Sequence, residues 1–248
     1  MVRKTAIPPG GVGVPRVSYT LRGEAATRKA SDMDLKRIET GGIGWIAPVE
    51  GSARWYWGGA PVSGDLYEAQ ELFEAGSEIK CNRVVFVSYP DGAVFEPLIA
   101  QAGQYFGTPV CCDDVLYLLL VDFPAGQIRI YAWTPEGEGT AAQLHAQLPL
   151  SNVRNCYNLQ LAVKPLALLR QGGYGDFQVL WPDQADFEIG DHESFDYREG
   201  DVLVFAEWLE DPDYREEVVL REYPSGRFIM RFDGSTREMP DGSHWLLS

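Results

Sequence analysis

From residue 82 onward, short runs of the chain alternate between apolar and polar positions, which is typical of β-strands with a buried face. Four pairs of such runs are joined by an aromatic residue followed by proline. The joints are Tyr89-Pro90-Asp91-Gly92, Phe123-Pro124-Ala125-Gly126, Trp181-Pro182-Asp183-Gln184 and Tyr223-Pro224-Ser225-Gly226. Proline suits the first corner of a type I turn, and glycine accepts the left-handed conformation that follows it. Each joint therefore predicts a tight antiparallel hairpin.

The hairpins recur along the chain, with their aromatic residues 34, 58 and 42 positions apart. Five further short strands are predicted around them, at residues 108–112, 157–162, 166–170, 194–197 and 202–208. Three or four strands in every roughly 40–50 residues is the content of a propeller blade. We therefore predict an all-β fold, a small β-propeller of four or five blades. A β-sandwich or an irregular barrel is the alternative.

A string near the end of the chain supports this interpretation. The residues Met239-Pro240-Asp241-Gly242-Ser243-His244-Trp245 resemble the Pro-Asp-Gly string that opens the inner strand of a blade in WD-repeat and related propellers. The resemblance extends over strand spacing and turn strings in about residues 41–248 and assigns no specific family. It implies a closed ring, in which the terminal strand completes a sheet begun by N-terminal residues.

One helix is predicted near residues 65–75. Asp65 and Glu68 have the spacing of a capping box, apolar residues recur on one face, and Gly76 stands where a helix would stop. Residues 1–24 are rich in proline and glycine and are predicted to form an extended N-terminal arm. Residues 25–248 are predicted to form a single β-repeat domain.

The net charge of −15, from 21 basic and 36 acidic side chains, bears on the partners. Such a surface repels phosphate backbones and anionic lipid headgroups, so we expect neither nucleic acid nor a membrane surface as a partner. The chain has no 18-residue apolar run and no signal-like apolar stretch near its start, which favours the cytoplasm. The four cysteines lack any Cys-x-x-Cys spacing and are expected to be reduced and mostly buried.

Motifs for cofactor or metal chemistry are weak. The glycine-rich strings at residues 10–13 and 172–175 do not precede a credible helix, so no phosphate or dinucleotide site is predicted. His145, His192 and His244 are isolated, without a histidine or cysteine partner at ligand spacing. We therefore expect no cofactor and no metal.

Three consecutive aromatic residues, in the string Arg54-Trp55-Tyr56-Trp57-Gly58-Gly59, suggest a ligand site. On a strand, the two tryptophans face one side and the tyrosine faces the other, so at least one side is expected to be partly exposed. An exposed ring can stack on a sugar, a base or a peptide proline; burial of both faces between neighbouring sheets is the alternative. Arg170, which must reach solvent or pair with an acidic group, and Tyr174 are added to this hypothesis. The candidate ligand-binding residues are Arg54, Trp55, Tyr56, Trp57, Arg170 and Tyr174.

Two functions are compatible with these features. The preferred hypothesis is a non-catalytic cytoplasmic binding or scaffold protein whose partner is a protein or a small polar ligand. The alternative is a carbohydrate-active hydrolase with paired carboxylates in the central pocket of a propeller. A hydrolase should show converging carboxylates with perturbed pKa values in its deepest cleft, whereas a scaffold should show a flat or apolar patch.

Overall fold

The computed structural model describes residues 35–60, 62–135, 141–173, 175–211, 213–239 and 241–248. The chain divides into two compact units, residues 1–37 and 38–248, and the architecture below is that of the second unit. The predicted N-terminal arm, residues 1–24, lies outside the described residues.

The described strands form five small antiparallel sheets, so the predicted all-β class is confirmed. Strands that follow one another along the chain pair with each other, except in the second sheet, whose first two strands both pair with its third. The sheets comprise β1 (Ala47–Pro48), β2 (Trp55–Ala60), β3 (Arg83–Ser88) and β4 (Val94–Phe95) in the first; β5 (Gln104–Phe106), β6 (Val110–Cys112), β7 (Val115–Asp122), β8 (Gln127–Trp133) and β9 (Gln143–Pro149) in the second; β10 (Leu159–Val163), β11 (Leu166–Gln171), β12 (Asp176–Trp181) and β13 (Ala185–Glu188) in the third; β14 (Glu193–Glu199), β15 (Val202–Leu209), β16 (Arg215–Glu222) and β17 (Phe228–Asp233) in the fourth; and β18 (Ser235–Glu238) and β19 (His244–Leu247) in the fifth.

The four predicted hairpins are all present, but they are not equivalent. Pro90, Pro182 and Pro224 connect the third strand of a sheet to the fourth. In the second sheet β5 and β6 both pair with β7 and act as one divided first strand, so Pro124 connects the second strand to the third. Without Pro124, the aromatic residues are 92 and 42 positions apart, and the first interval spans two sheets. The irregular spacing in the sequence therefore arises from one hairpin that is out of phase.

The prediction of type I turns is correct for one hairpin and wrong for two. At Pro124 the Gly126 N–H donates to the Phe123 carbonyl, three residues back, at 3.1 Å. At Pro90 and Pro224 the peptide before the proline is cis, and the following glycine donates to a carbonyl four residues back. Trp181-Pro182 is also cis. Local sequence separates the two isomers of such a bond by only about 0.5–1 kcal/mol, so the turn type could not be inferred from it.

The predicted helix is confirmed as α1 (Leu66–Glu74). The Asp65 side chain accepts from the backbone N–H of Tyr67 and Glu68 at 2.9 Å, and Glu68 Oε2 accepts from the Asp65 N–H at 2.8 Å. Gly76 follows the helix with a φ of +71° and donates its N–H to the Phe73 carbonyl. Both helix ends are thus satisfied by local residues, which explains why the sequence predicted them.

Successive sheets pack face to face through three apolar clusters. One cluster joins the first sheet to the second, another joins the second to the third and to α1, and the last joins the third to the fourth. Strand β7 shows why its sequence is almost continuously apolar: Leu118 faces the first cluster, whereas Leu119 faces the next. A central strand buried on both faces requires apolar residues at consecutive positions.

The fifth sheet differs from the others because it has two strands within the described residues. The string that resembles a propeller turn, residues 239–243, joins these two strands, and a strand both precedes and follows it. Closure of a ring by this terminal strand and N-terminal residues stays a prediction, because residues 1–34 lie outside the described residues. Trp245, Leu246 and Leu247 remain about half exposed on β19. No helix in the described part of the chain is long and apolar enough to cross a membrane.

Candidate functional site

The first candidate site is a cavity of about 280 Å³ between the first, second and third sheets, beside the N-terminal end of α1. It is called the tryptophan cavity below because Trp45 and Trp57 both line it. Trp57 lies on β2 and is half buried, since it also packs against the apolar cluster between the first two sheets. Trp45 precedes β1 and is 44% exposed. The cavity therefore has an aromatic wall that is open to solvent on the Trp45 side.

The two indole rings contact each other edge to face. Their centroids are 5.1 Å apart and their planes are at 78°, an arrangement favoured by the charge distribution of aromatic rings. Gly58, directly after Trp57, makes the contact possible: a Cβ there would lie 2.6 Å from the Trp45 carbonyl oxygen. Gly58 and Gly59 were predicted to let a ligand approach the strand closely. Instead, Gly58 allows close approach of the segment of this chain that contains Trp45.

The floor of the tryptophan cavity is polar but satisfied by the protein. The buried Asn82 amide donates to the Phe106 carbonyl at 3.0 Å and accepts from the Phe106 N–H at 2.7 Å. The Tyr105 hydroxyl donates to the Gly64 carbonyl at 2.5 Å and accepts from the Ser63 N–H. These bonds hold the floor in place without a ligand.

The rim of the tryptophan cavity is polar and unengaged. Thr108, Asn158 and Gln160 line it with exposed side chains, and within the described residues none of these side chains makes a hydrogen bond. Asn158 has a φ of +47°, a left-handed conformation that asparagine tolerates. These three side chains can bond to a ligand at no internal cost.

The charge of the tryptophan cavity is slightly negative. Among the described residues that line it there is no lysine, arginine or histidine, and the Asp65 carboxylate caps α1. Cys156 also lines it, and burial raises the pKa of this thiol to about 12, so the thiol stays protonated at neutral pH. The lining therefore suits a neutral ligand and provides no activated thiolate.

The structure separates the four predicted residues Arg54, Trp55, Tyr56 and Trp57, of which the last three lie on β2 and Arg54 precedes it. Trp55 and Trp57 face the cluster between the first and second sheets, as strand alternation predicts, but Trp55 is 4% exposed and contacts Trp133 and Phe95 within it. Tyr56, which alternates with them, makes an edge contact with Tyr89. The Arg54 guanidinium lies over the Trp55 ring at 5.2 Å. Of the four, only Trp57 lines the tryptophan cavity.

The other two predicted residues do not join this site. Arg170 is 3% exposed and lines neither of the cavities described here. Its guanidinium pairs with Asp176 and donates to Asn155 Oδ1 at 2.8 Å, so it takes the acidic partner that its burial requires. Tyr174 lies outside the described residues.

The second candidate site is a smaller cavity, of about 130 Å³, lined by residues from four of the sheets or their connections. We call it the inner cavity. Glu50 follows β1, Lys164 follows β10, Asp196 lies on β14 and Glu238 lies on β18. Lys164 forms an ion pair with Glu238, and the Thr236 hydroxyl donates to Asp196. The cavity thus gathers charged groups that are far apart in the sequence.

Glu50 is the perturbed carboxyl of the inner cavity. Desolvation raises the pKa of Glu50 above its ordinary value, and the charge of Glu238 raises it further. The residue keeps an exposed surface, so the effect is partial. At the edge of the same cavity the rings of Tyr197 and His244 stack with centroids 3.6 Å apart.

Sequence analysis missed most residues of both cavities. Trp45 had a signal, because it follows a glycine-rich string, Gly41-Gly42-Ile43-Gly44, and could have been paired with Trp57. Asn158, Gln160, Glu50 and Glu238 lie in unremarkable polar stretches with no motif. No group of three or more histidine, cysteine, aspartate or glutamate side chains in the described residues is placed to hold a metal ion.

Comparison with known proteins adds little. No family model matches the chain, and no curated protein matches it. Among solved structures, a Bacteroides uniformis protein provisionally named 6-phosphogluconolactonase aligns with a TM-score of 0.34 and 12% sequence identity. The alignment covers 82% of this chain and 62% of that protein, so the chain spans less than two thirds of its length. A resemblance at this level supports no argument about fold or function.

Proposed function

We propose that this chain is a non-catalytic binding protein that holds a small, neutral, polar ligand in the tryptophan cavity. One observation carries the proposal: an aromatic wall, Trp45 and Trp57, stands in the same cavity as three polar side chains that form no hydrogen bond with the described residues. Ligand sites typically combine apolar walls with a few polar groups that fix orientation. The absence of a cation among the described lining residues, and the protonated Cys156, support a neutral ligand and binding without chemistry.

The test is calorimetric titration of the folded protein with a library of small polar compounds. We expect a ligand whose affinity falls at least about tenfold in Trp57→Leu, which corresponds to about 1.4 kcal/mol. Leucine keeps apolar contact with the cluster behind Trp57 but lacks the ring. Trp245→Ala is the matched control, because Trp245 is 56% exposed and lies on the fifth sheet. Binding that survives Trp57→Leu unchanged would contradict the proposal.

We also propose that the five sheets are blades of a small propeller. The face-to-face packing of sheets one to four in chain order supports this arrangement. So does the inner cavity, because Glu50 of the first sheet's connection and Glu238 of the fifth sheet line it together. A crystal structure in which the first and fifth sheets lie on opposite sides of the molecule would contradict the proposal.

The hydrolase is a second candidate, favoured by the raised pKa of Glu50 beside Glu238 in the inner cavity. It ranks second for two reasons. The cavity, about 130 Å³, is smaller than the roughly 300 Å³ at which ordinary ligand sites begin, and Glu238 is held in an ion pair with Lys164. Hydrolysis of chromogenic glycosides that is abolished in both Glu50→Gln and Glu238→Gln would establish it; no turnover above background would dismiss it.

For location and partners, our proposal keeps the expectations drawn from the sequence. We propose a cytoplasmic location, as expected from the sequence. We also propose that neither nucleic acid nor a membrane surface is a partner, because a net charge of −15 repels phosphate groups. The four cysteines are free, two of them buried and two half buried, which is compatible with a reducing compartment. Fractionation of cells that produce the protein tests the location directly.

A further inference from the structure

We infer that the ligand of the tryptophan cavity is a neutral sugar, bound as one or two pyranose rings with an apolar face of a ring against Trp57. This inference rests on the proposed function and narrows it to one chemical class. Sugars, nucleobases and proline-containing peptides are three classes of ligand that bind to aromatic rings. The geometry of the cavity distinguishes among them.

The indole rings favour a sugar over a base. A flat base gains most between two parallel rings or on a fully open one, but Trp45 and Trp57 stand at 78° with centroids 5.1 Å apart. No parallel-walled slot exists between them. A pyranose needs only one ring face for its C–H groups, and its equatorial hydroxyls then point sideways. The perpendicular second ring can contact the edge of such a sugar.

The polar rim matches hydroxyl groups. The amides of Asn158 and Gln160 and the hydroxyl of Thr108 can each donate and accept, and none is engaged within the described residues. Sugar hydroxyls also donate and accept, so each can be satisfied by one such side chain. A proline residue offers a carbonyl that accepts but no N–H that donates, so a run of prolines would leave the acceptor atoms of this rim unused.

The charge and size of the cavity narrow the class further. With no cation among its described lining residues and with Asp65 at its edge, the cavity disfavours phosphorylated or acidic sugars. A volume of about 280 Å³ lies just below the roughly 300 Å³ at which ordinary ligand sites begin, so the ligand must be small. It accommodates one or two sugar rings, and a longer chain would have to extend into solvent past Trp45.

The experiment is a calorimetric panel on the full chain: neutral mono- and disaccharides, glucose 6-phosphate, glucuronate, adenosine, cytidine and a short proline-rich peptide. We expect at least one neutral sugar to bind, and its phosphorylated or acidic counterpart to bind at least about tenfold more weakly. Asn158→Gly and Gln160→Ala should each weaken sugar binding about fivefold, the loss of roughly one hydrogen bond. Glycine keeps the left-handed backbone of position 158. Gln184→Ala is the matched control, an exposed amide that does not line the tryptophan cavity.

The outcomes separate this inference from the proposed function. A nucleoside or peptide that binds in a Trp57-dependent way, while sugars do not, overturns the sugar class and leaves the binding function in place. A phosphorylated sugar that binds more tightly than its neutral parent also overturns it. If every variant at the rim binds sugar as the unmodified protein does, the sugar lies elsewhere and the inference fails. If no compound shows Trp57-dependent binding, both the inference and the proposed function fail.

Discussion

Replacement of Asp176 by asparagine should destabilise this protein more than removal of the buried arginine that it pairs with. The Arg170 side chain is 4% exposed, and its two partners are Asp176 and the Oδ1 atom of Asn155. In Asp176→Asn the guanidinium stays buried and keeps only a neutral partner. In Arg170→Met the charge is gone, the apolar stem is retained, and Asp176 still pairs with Arg154 at 3.0 Å.

The magnitude follows from this asymmetry. Breaking a buried pair from one side costs about 3–5 kcal/mol, and since Asp176 is 16% exposed we expect the lower end, about 3 kcal/mol. For a domain of this size that lowers Tm by about 6–12 °C. Arg170→Met should cost about 1 kcal/mol. The double variant should resemble Arg170→Met alone, which corresponds to a coupling energy of about 3 kcal/mol in magnitude.

The assay is urea unfolding of the three variants, followed by calorimetry over a range of pH. Burial opposes ionisation of Asp176, but the Arg170 hydrogen bond and the nearby arginine charges outweigh it and lower the pKa of this carboxyl. The stabilisation is therefore present above the ordinary aspartate pKa, about 3.9, and is lost as the pH falls through the lowered value. The difference between the protein and Asp176→Asn should accordingly shrink in acid. Additive single-variant losses, or a smaller loss for Asp176→Asn than for Arg170→Met, would refute the reasoning.

Two other predictions concern the connection between β1 and β2. Gly51→Ala should lower the free energy of unfolding in urea by about 2–4 kcal/mol, because the added Cβ would lie 2.0 Å from the Cys111 carbonyl oxygen and φ is +81°. Gly42→Ala, with φ +93° and no atom within 4 Å, is the control for backbone strain alone. Equal losses in the two variants would contradict the steric cause. Glu50→Gln should raise Tm at pH 7, because a carboxyl whose pKa is raised by folding opposes folding when it ionises. This increase in Tm should vanish below about pH 4.3, where the carboxyl is protonated in both the folded and the unfolded state. An increase in Tm that persists in acid would show that ionisation of Glu50 is not its cause.

The sequence predicted those features whose causes lie within a few residues. Asp65 and Glu68 satisfy the first turn of α1, so four letters were enough to locate the helix. The glycines of the hairpins predicted where the chain reverses, and the apolar run of β7 predicted a strand. The alternation of Trp55 and Trp57 against Tyr56 was also readable, because successive residues of a strand point to opposite faces.

The tertiary structure alone decided which of those residues are accessible and which polar groups meet. Trp55 and Trp57 flank the same residue and lie on the same face of β2. The second sheet nevertheless covers Trp55, whereas Trp57 lines the tryptophan cavity together with residues of α1 and the third sheet. Glu50 and Glu238 are separated by most of the chain and interact only because the fold brings them to the same cavity. Strand periodicity reports the direction of a side chain, whereas coverage and pairing depend on elements many residues away. A local sequence pattern therefore cannot predict which side chains are covered or which polar groups pair.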